Sequence, residues 1–160
     1  MDDLISDLDV VLESLRRAST LQEERIALSG VLDHLYKLRC LRESDSSYRD
    51  RVRADRGGKV AEAISLIRGD MTHDVTKEIE PKSKMLHPGE DLFPSEDLFP
   101  GKQLIWLYAC EMVDQLHQDL RSRGENQYSR YEYYGRYVAG QPVLQTVVAA
   151  RDFLVNDAGS

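Results

Sequence analysis

Cysteine is scarce in this chain of 160 residues: there are two, Cys40 and Cys110. Two thiols in helix-like surroundings make no disulfide framework, and the sequence predicts reduced core thiols of a cytoplasmic protein. Long apolar runs are missing as well. No uninterrupted stretch approaches the roughly 20 residues of a membrane span, so no membrane association is expected. The first residues, Met1-Asp2-Asp3, are acidic where a signal peptide is basic, and no apolar segment follows them. Net positive charge is also lacking. At -7 the chain has no surplus for tight, non-specific binding to nucleic acid, although a local basic groove remains compatible with transient contact. No glycine-rich phosphate loop and no serine or cysteine nucleophile motif is found.

What is present is the composition of one ordinary globular domain over 1–160, with 41% hydrophobic and 31% charged residues. Helical periodicity dominates. Leu4, Ile5, Leu8, Val11, Leu12 and Leu15 lie on one stripe of a first helix over about 3–17. Ser19 and Thr20 follow, with Gln22 and Glu23 three residues on, so either pair can open a capping box. A second helix to about Glu43 turns Leu28, Val31, Leu32, Leu35 and Leu38 inward. Gly57-Gly58 reads as punctuation. A third helix is expected from near Lys59 to as far as Glu80, where Pro81 stops it, with Val60, Ala63, Ile64, Ile67, Met71 and Val75 on its stripe.

Residues 81–101 read as a long loop with Pro81, Pro88, Pro94 and Pro100 and a tandem Glu-Asp-Leu-Phe-Pro at 90–94 and 96–100. A fourth helix is expected over about 103–123, burying Ile105, Tyr108, Met112, Leu116 and Leu120. A tyrosine-rich loop follows over 124–140, and a last helix starts at Pro142 and buries Leu144, Val147, Val148 and Leu154. No segment alternates as a strand does. The expected fold is all-α, a bundle of four or five helices with a long proline-rich loop.

Two stretches carry candidate chemistry. Residues 49–59 hold Arg49, Arg51, Arg53, Arg56 and Lys59 against Asp50 and Asp55, five basic residues to two acidic, a local excess of +3 suited to steering a phosphate backbone. The second is Arg68-Gly69-Asp70-Met71-Thr72-His73-Asp74. On the expected third helix His73 shares the polar side with Asp70 and Lys77, away from the core. Arg68 and His73 would point about 140° apart on one straight helix. To hold one anion together they need either a bend at Gly69 or two copies of the chain in a two-fold dimer.

Arg68-x4-His73, preceded by the apolar stripe Ala61, Ala63, Ile64, Leu66 and Ile67, resembles the signature of HEPN domains. Gly69 stands where that family usually has a polar residue, with Asp70 one place later. The resemblance implies an all-α dimer that cleaves RNA without a metal or other cofactor, in a toxin or defence setting where a neutralising protein partner is a further expectation. His73 is then the base that takes the 2′-hydroxyl proton, Arg68 holds the phosphate and Asp70 orients the imidazole. Arg49, Arg51, Arg53 and Arg56 would bind substrate, and the loop tyrosines would stack unpaired bases.

Other readings use the same letters. His73-Asp74-Val75-Thr76-Lys77 is similar to the text of HD-type metal-dependent phosphohydrolases, with His34 and Asp152 as the remaining ligands. Asp70-x-x-His73 and Asp114-x-x-His117 give carboxylate–histidine spacing twice, a distant echo of two-metal bundles. A non-catalytic helical bundle that binds a partner is the reading from a third class, with Gly69 and the acidic balance in its favour.

Overall fold

In the computed structural model the described residues are 1–67, 76–79, 103–108 and 128–156. They form an all-α bundle carrying one short ribbon. The elements are α1 (Asp2–Arg17), α2 (Leu21–Glu43), α3 (Tyr48–Ala54), α4 (Arg56–Ile64) tightening into a 3-10 turn (Ser65–Ile67), β1 (Thr76–Ile79), β2 (Gln103–Trp106), α5 (Tyr128–Tyr133) widening into a π-turn (Tyr134–Val138), and α6 (Val143–Asn156).

The first two helices follow their periodicity. Leu8, Leu12 and Leu15 of α1 and Leu28, Val31, Leu32, Leu35 and Leu38 of α2 are buried. Thr20 starts α2 with a complete capping box: its side chain accepts from the Glu23 N–H at 3.2 Å, and the Glu23 carboxylate accepts from the Thr20 N–H at 3.2 Å. Ser19 adds its own N–H and hydroxyl to that carboxylate, which these bonds hold below its usual range. Cys40 is exposed, contrary to the expected core thiol, because it lies two residues past Leu38 and so on the outer side of the helix. Cys110 lies outside the described residues.

The pair Gly57-Gly58 is not a break. Asp55 caps α4, its carboxylate accepting from the Gly58 N–H at 3.1 Å, and both glycines sit in the first turn. They are small because neighbours crowd them. A Cβ on Gly58 would lie 2.8 Å from Val52 Cα and 2.9 Å from the Phe153 ring, and one on Gly57 would lie 2.9 Å from the Ala149 carbonyl oxygen. This absence of side chains lets α4 close on α6, the pair that with α1 on α2 makes up the body of the bundle.

Two expected helices are corrected. The third does not run from Lys59 to Glu80, and the fourth does not start at Gln103. Instead Thr76–Ile79 and Gln103–Trp106 pair antiparallel, Thr76 opposite Trp106 and Ile79 opposite Gln103. Trp106 explains why. It is fully buried, its backbone N–H donates to Gln141 O at 3.1 Å, and its carbonyl accepts from Gly140 N–H at 3.0 Å. Its indole N–H donates to Thr146 Oγ1 on α6 at 2.5 Å. A residue bonded in this way on both backbone groups is extended, not helical. Tyr108, expected on a buried face, is half exposed and lies over Gly140, whose φ of 71° and lack of a Cβ admit the ring.

The tyrosine-rich stretch is also corrected where it is described. Residues 128–138 are helical, not a loop, with Tyr134 buried and its hydroxyl donating to Leu107 O at 2.7 Å. On α6 the buried line is Val143, Thr146, Val147, Ala150 and Leu154; Leu144, one residue off that line, is exposed. The proline-rich stretch 81–101 lies outside the described residues.

Candidate functional site

The expected catalytic trio, Arg68, Asp70 and His73, lies outside the described residues, as do Asp74, Asp114 and His117. The flanks are described: Ile67 is fully buried at the end of the 3-10 turn, and Thr76 is buried at the start of β1. One straight helix over 59–80, on which Arg68 and His73 would diverge by about 140°, is not formed, since the chain leaves α-helix at Ile64 and is extended by Thr76.

The four arginines expected to bind substrate are divided by α3. Arg49 and Arg53, four residues apart on one side of the helix, line a cleft of about 190 Å³. Arg51 and Arg56 line a different groove, with Phe153 and Asn156 of α6. Arg51 is also tied to the turn before its own helix. It pairs with Asp45 at 2.9 Å and donates to Ser47 Oγ. The Asp45 carboxyl is pulled down to about 2, first by the Ser47 N–H and then by Arg51.

Beneath Arg49 and Arg53, the floor of the cleft is a buried ionic network that sequence reading did not anticipate. Glu62 of α4 accepts from Arg39 Nε of α2 at 2.7 Å and from the Tyr48 hydroxyl at 3.0 Å, both on Oε1. Its Oε2 accepts from Arg130 Nε of α5 at 2.7 Å. Arg39 reaches Glu43 with Nη1 at 3.0 Å. Burial works to raise the Glu62 carboxyl, but the bonds and charge of Arg39, then of Arg130, outweigh it and hold the group below its usual range. Burial and the neighbouring Glu62 push the Tyr48 phenol well above its usual range, so it stays a neutral donor. Arg39 is only 4% exposed; burial disfavours its charge, but Glu62 overrides that and its affinity for the proton rises.

A signal for this network does exist in the sequence. Glu62 stands in the middle of Val60-Ala61-Glu62-Ala63-Ile64, and Arg39 follows directly on Leu38. A charge inside an apolar stripe requires a partner. The partners, 23 and 68 residues away from Glu62, are not legible from spacing.

The metal readings gain no geometry here. His34 places Nδ1 2.7 Å from the Gly30 carbonyl oxygen, and Asp152 takes Arg151 at 3.0 Å. Among the described residues no group of three histidine, cysteine or acidic side chains is placed to hold a metal ion. Among them, too, no helix is long and apolar enough to cross a membrane. Comparison with protein-family models, with curated proteins and with solved structures finds no match.

Proposed function

We propose that the chain is a HEPN-like, metal-independent endoribonuclease of the cytoplasm, working as a homodimer in a toxin or defence system with a neutralising protein partner. The observation that carries this reading is the pairing of Arg68 and His73 across four residues in a chain whose described part is an all-α bundle. The residue types fit one reaction. His73 takes the proton of an RNA 2′-hydroxyl, and the freed oxygen attacks the adjacent phosphorus. The bond from phosphorus to the 5′-oxygen breaks, and that oxygen leaves with a proton. The products are a 2′,3′-cyclic phosphate and a 5′-hydroxyl. Arg68 holds the charge that builds on the phosphate through parallel hydrogen bonds, and Asp70 orients the imidazole.

Arg49 and Arg53 support the reading from the described part, since they set cationic side chains along one wall of a cleft in an otherwise acidic chain. The test is cleavage of single-stranded RNA in the presence of a chelator, with end-group analysis of the products. His73→Ala is expected to abolish cleavage and keep the melting temperature and helical spectrum of the parent. A parent chain that leaves RNA intact, or one that a chelator silences, overturns the reading. The second of those results favours the HD-type alternative.

A further inference from the structure

The cleft above Glu62 contains more guanidinium than its carboxylates use. Four arginines line it, Arg39, Arg49, Arg53 and Arg130, against two carboxylates, Glu43 and Glu62. Both Glu62 oxygens are taken, and Glu43 is paired to Arg39. Arg130 spends only Nε on Glu62, so its two terminal nitrogens have no further partner among the described residues. Among the described residues Arg49 has no ion-pair partner and Arg53 reaches only the exposed Asp50, at 3.4 Å. Pairs of that exposed kind hold weakly and exchange readily.

Glu62 fixes the side chain of Arg130 at its Nε, so the guanidinium is already oriented before any ligand arrives. That placement lowers the ordering cost of binding. The volume, about 190 Å³, is roughly six times the ~30 Å³ share of one water. It admits a phosphate group with some of its hydration. Planar guanidinium groups favour such a group through paired hydrogen bonds.

We infer that this cleft is a phosphate-binding site, with Arg49, Arg53 and the Glu62-anchored Arg130 as its donors. The source of the phosphate is either a single-stranded RNA backbone or a free nucleotide. In the first case the inference rests on the ribonuclease reading and identifies where substrate is held away from the scissile bond. Arg130 and the exposed pair then act as binding residues, and Glu62 as the positioning residue behind them.

The experiment uses the full chain carrying His73→Ala, so that RNA is not consumed. Anisotropy of a labelled single-stranded RNA is read across a salt series, and ATP binding is read by calorimetry. Adding Arg49→Ala with Arg53→Ala, both exposed positions, is expected to weaken RNA binding about tenfold or more. The salt slope should fall by about 0.7 for each phosphate that is no longer neutralised. Arg16→Ala, an exposed arginine on α1 paired to Glu13, is the charge control and leaves binding within about twofold. If RNA is unaffected but ATP binding is abolished in the double variant, the site stands with a nucleotide as its source. Equal binding of both ligands by parent and double variant, or no binding of either ligand to the parent, overturns the inference. A chain that cleaves RNA with Arg49 and Arg53 dispensable for both RNA and ATP binding keeps the nuclease and loses this site; one that binds through them and never cleaves does the reverse.

Discussion

Arg130 and Glu62, 68 residues apart in the chain, meet at 2.7 Å in a half-buried cleft where Arg39 holds the other carboxylate oxygen. With the Tyr48 hydroxyl of α3 on that same oxygen, one acidic side chain joins four helices, α2, α3, α4 and α5. Removing one member of such a network leaves uncompensated buried charge, a larger loss than the net worth of the pair.

Glu62→Gln is therefore expected to destabilise the chain by about 3–5 kcal/mol at neutral pH. The pH dependence has a definite sign. The folded-state carboxyl of Glu62 lies below its ordinary value of 4.5. Its contribution is complete above pH 4.5 and is lost as the pH falls from there through the folded-state value. Urea unfolding at a series of pH values should show the parent and the variant far apart at pH 7 and converging below pH 4.5. A gap that stays constant with pH would refute the ionic role.

Gly58→Ala sets helix propensity against crowding. Alanine gains up to about 1 kcal/mol over glycine in a helix interior. The added methyl would meet Val52 Cα and the Phe153 ring under 3 Å, an overpacking cost of about 1–3 kcal/mol. Loss should win, with a lower melting temperature. Gly30→Ala is the counterpart: its methyl meets Val11 Cγ1 at 3.4 Å, so no loss and up to that same ~1 kcal/mol of gain is expected.

Thr146→Val removes the acceptor of the Trp106 indole N–H and keeps the shape of the side chain. A buried donor left without a partner costs about 1–3 kcal/mol. Chemical denaturation would measure it. Trp106 is the one tryptophan of the chain, so its fluorescence reports the same site.

Arg51→Ala should leave a mark on Asp45. Carboxyl titration by NMR is expected to show Asp45 moving up from about 2 toward its ordinary 3.8 without reaching it, because the Ser47 N–H remains in place. An unmoved Asp45 would mean that Arg51 does not hold this turn.

Periodicity revealed α1, α2 and α6 because each buries a long stripe, and the Thr20–Glu23 pair marked a helix start through purely local chemistry. The ribbon was not legible. Thr76–Ile79 and Gln103–Trp106 are four residues each, and Leu104, Ile105 and Trp106 are all buried, which removes the alternation that betrays a strand. Gly57-Gly58 looked like a break because a sequence does not show the ring of Phe153 pressing on the helix. Likewise, the division of Arg49 and Arg53 from Arg51 follows from helical spacing, whereas the carboxylate beneath them belongs to another helix. Arg68, Asp70 and His73 were legible as letters alone and lie outside the described residues.

Thr76–Ile79 and Gln103–Trp106 also fix the two points between which residues 80–102 run, bringing them to neighbouring positions of one ladder. The entropy of closing a tether depends only weakly on its length, about 0.6 kcal/mol for each doubling. Setting Ile79 opposite Gln103 therefore carries a closure cost that changes little with the number of residues between them, and the register of the ribbon is fixed by its own ladder and by the burial of Leu104, Ile105 and Trp106.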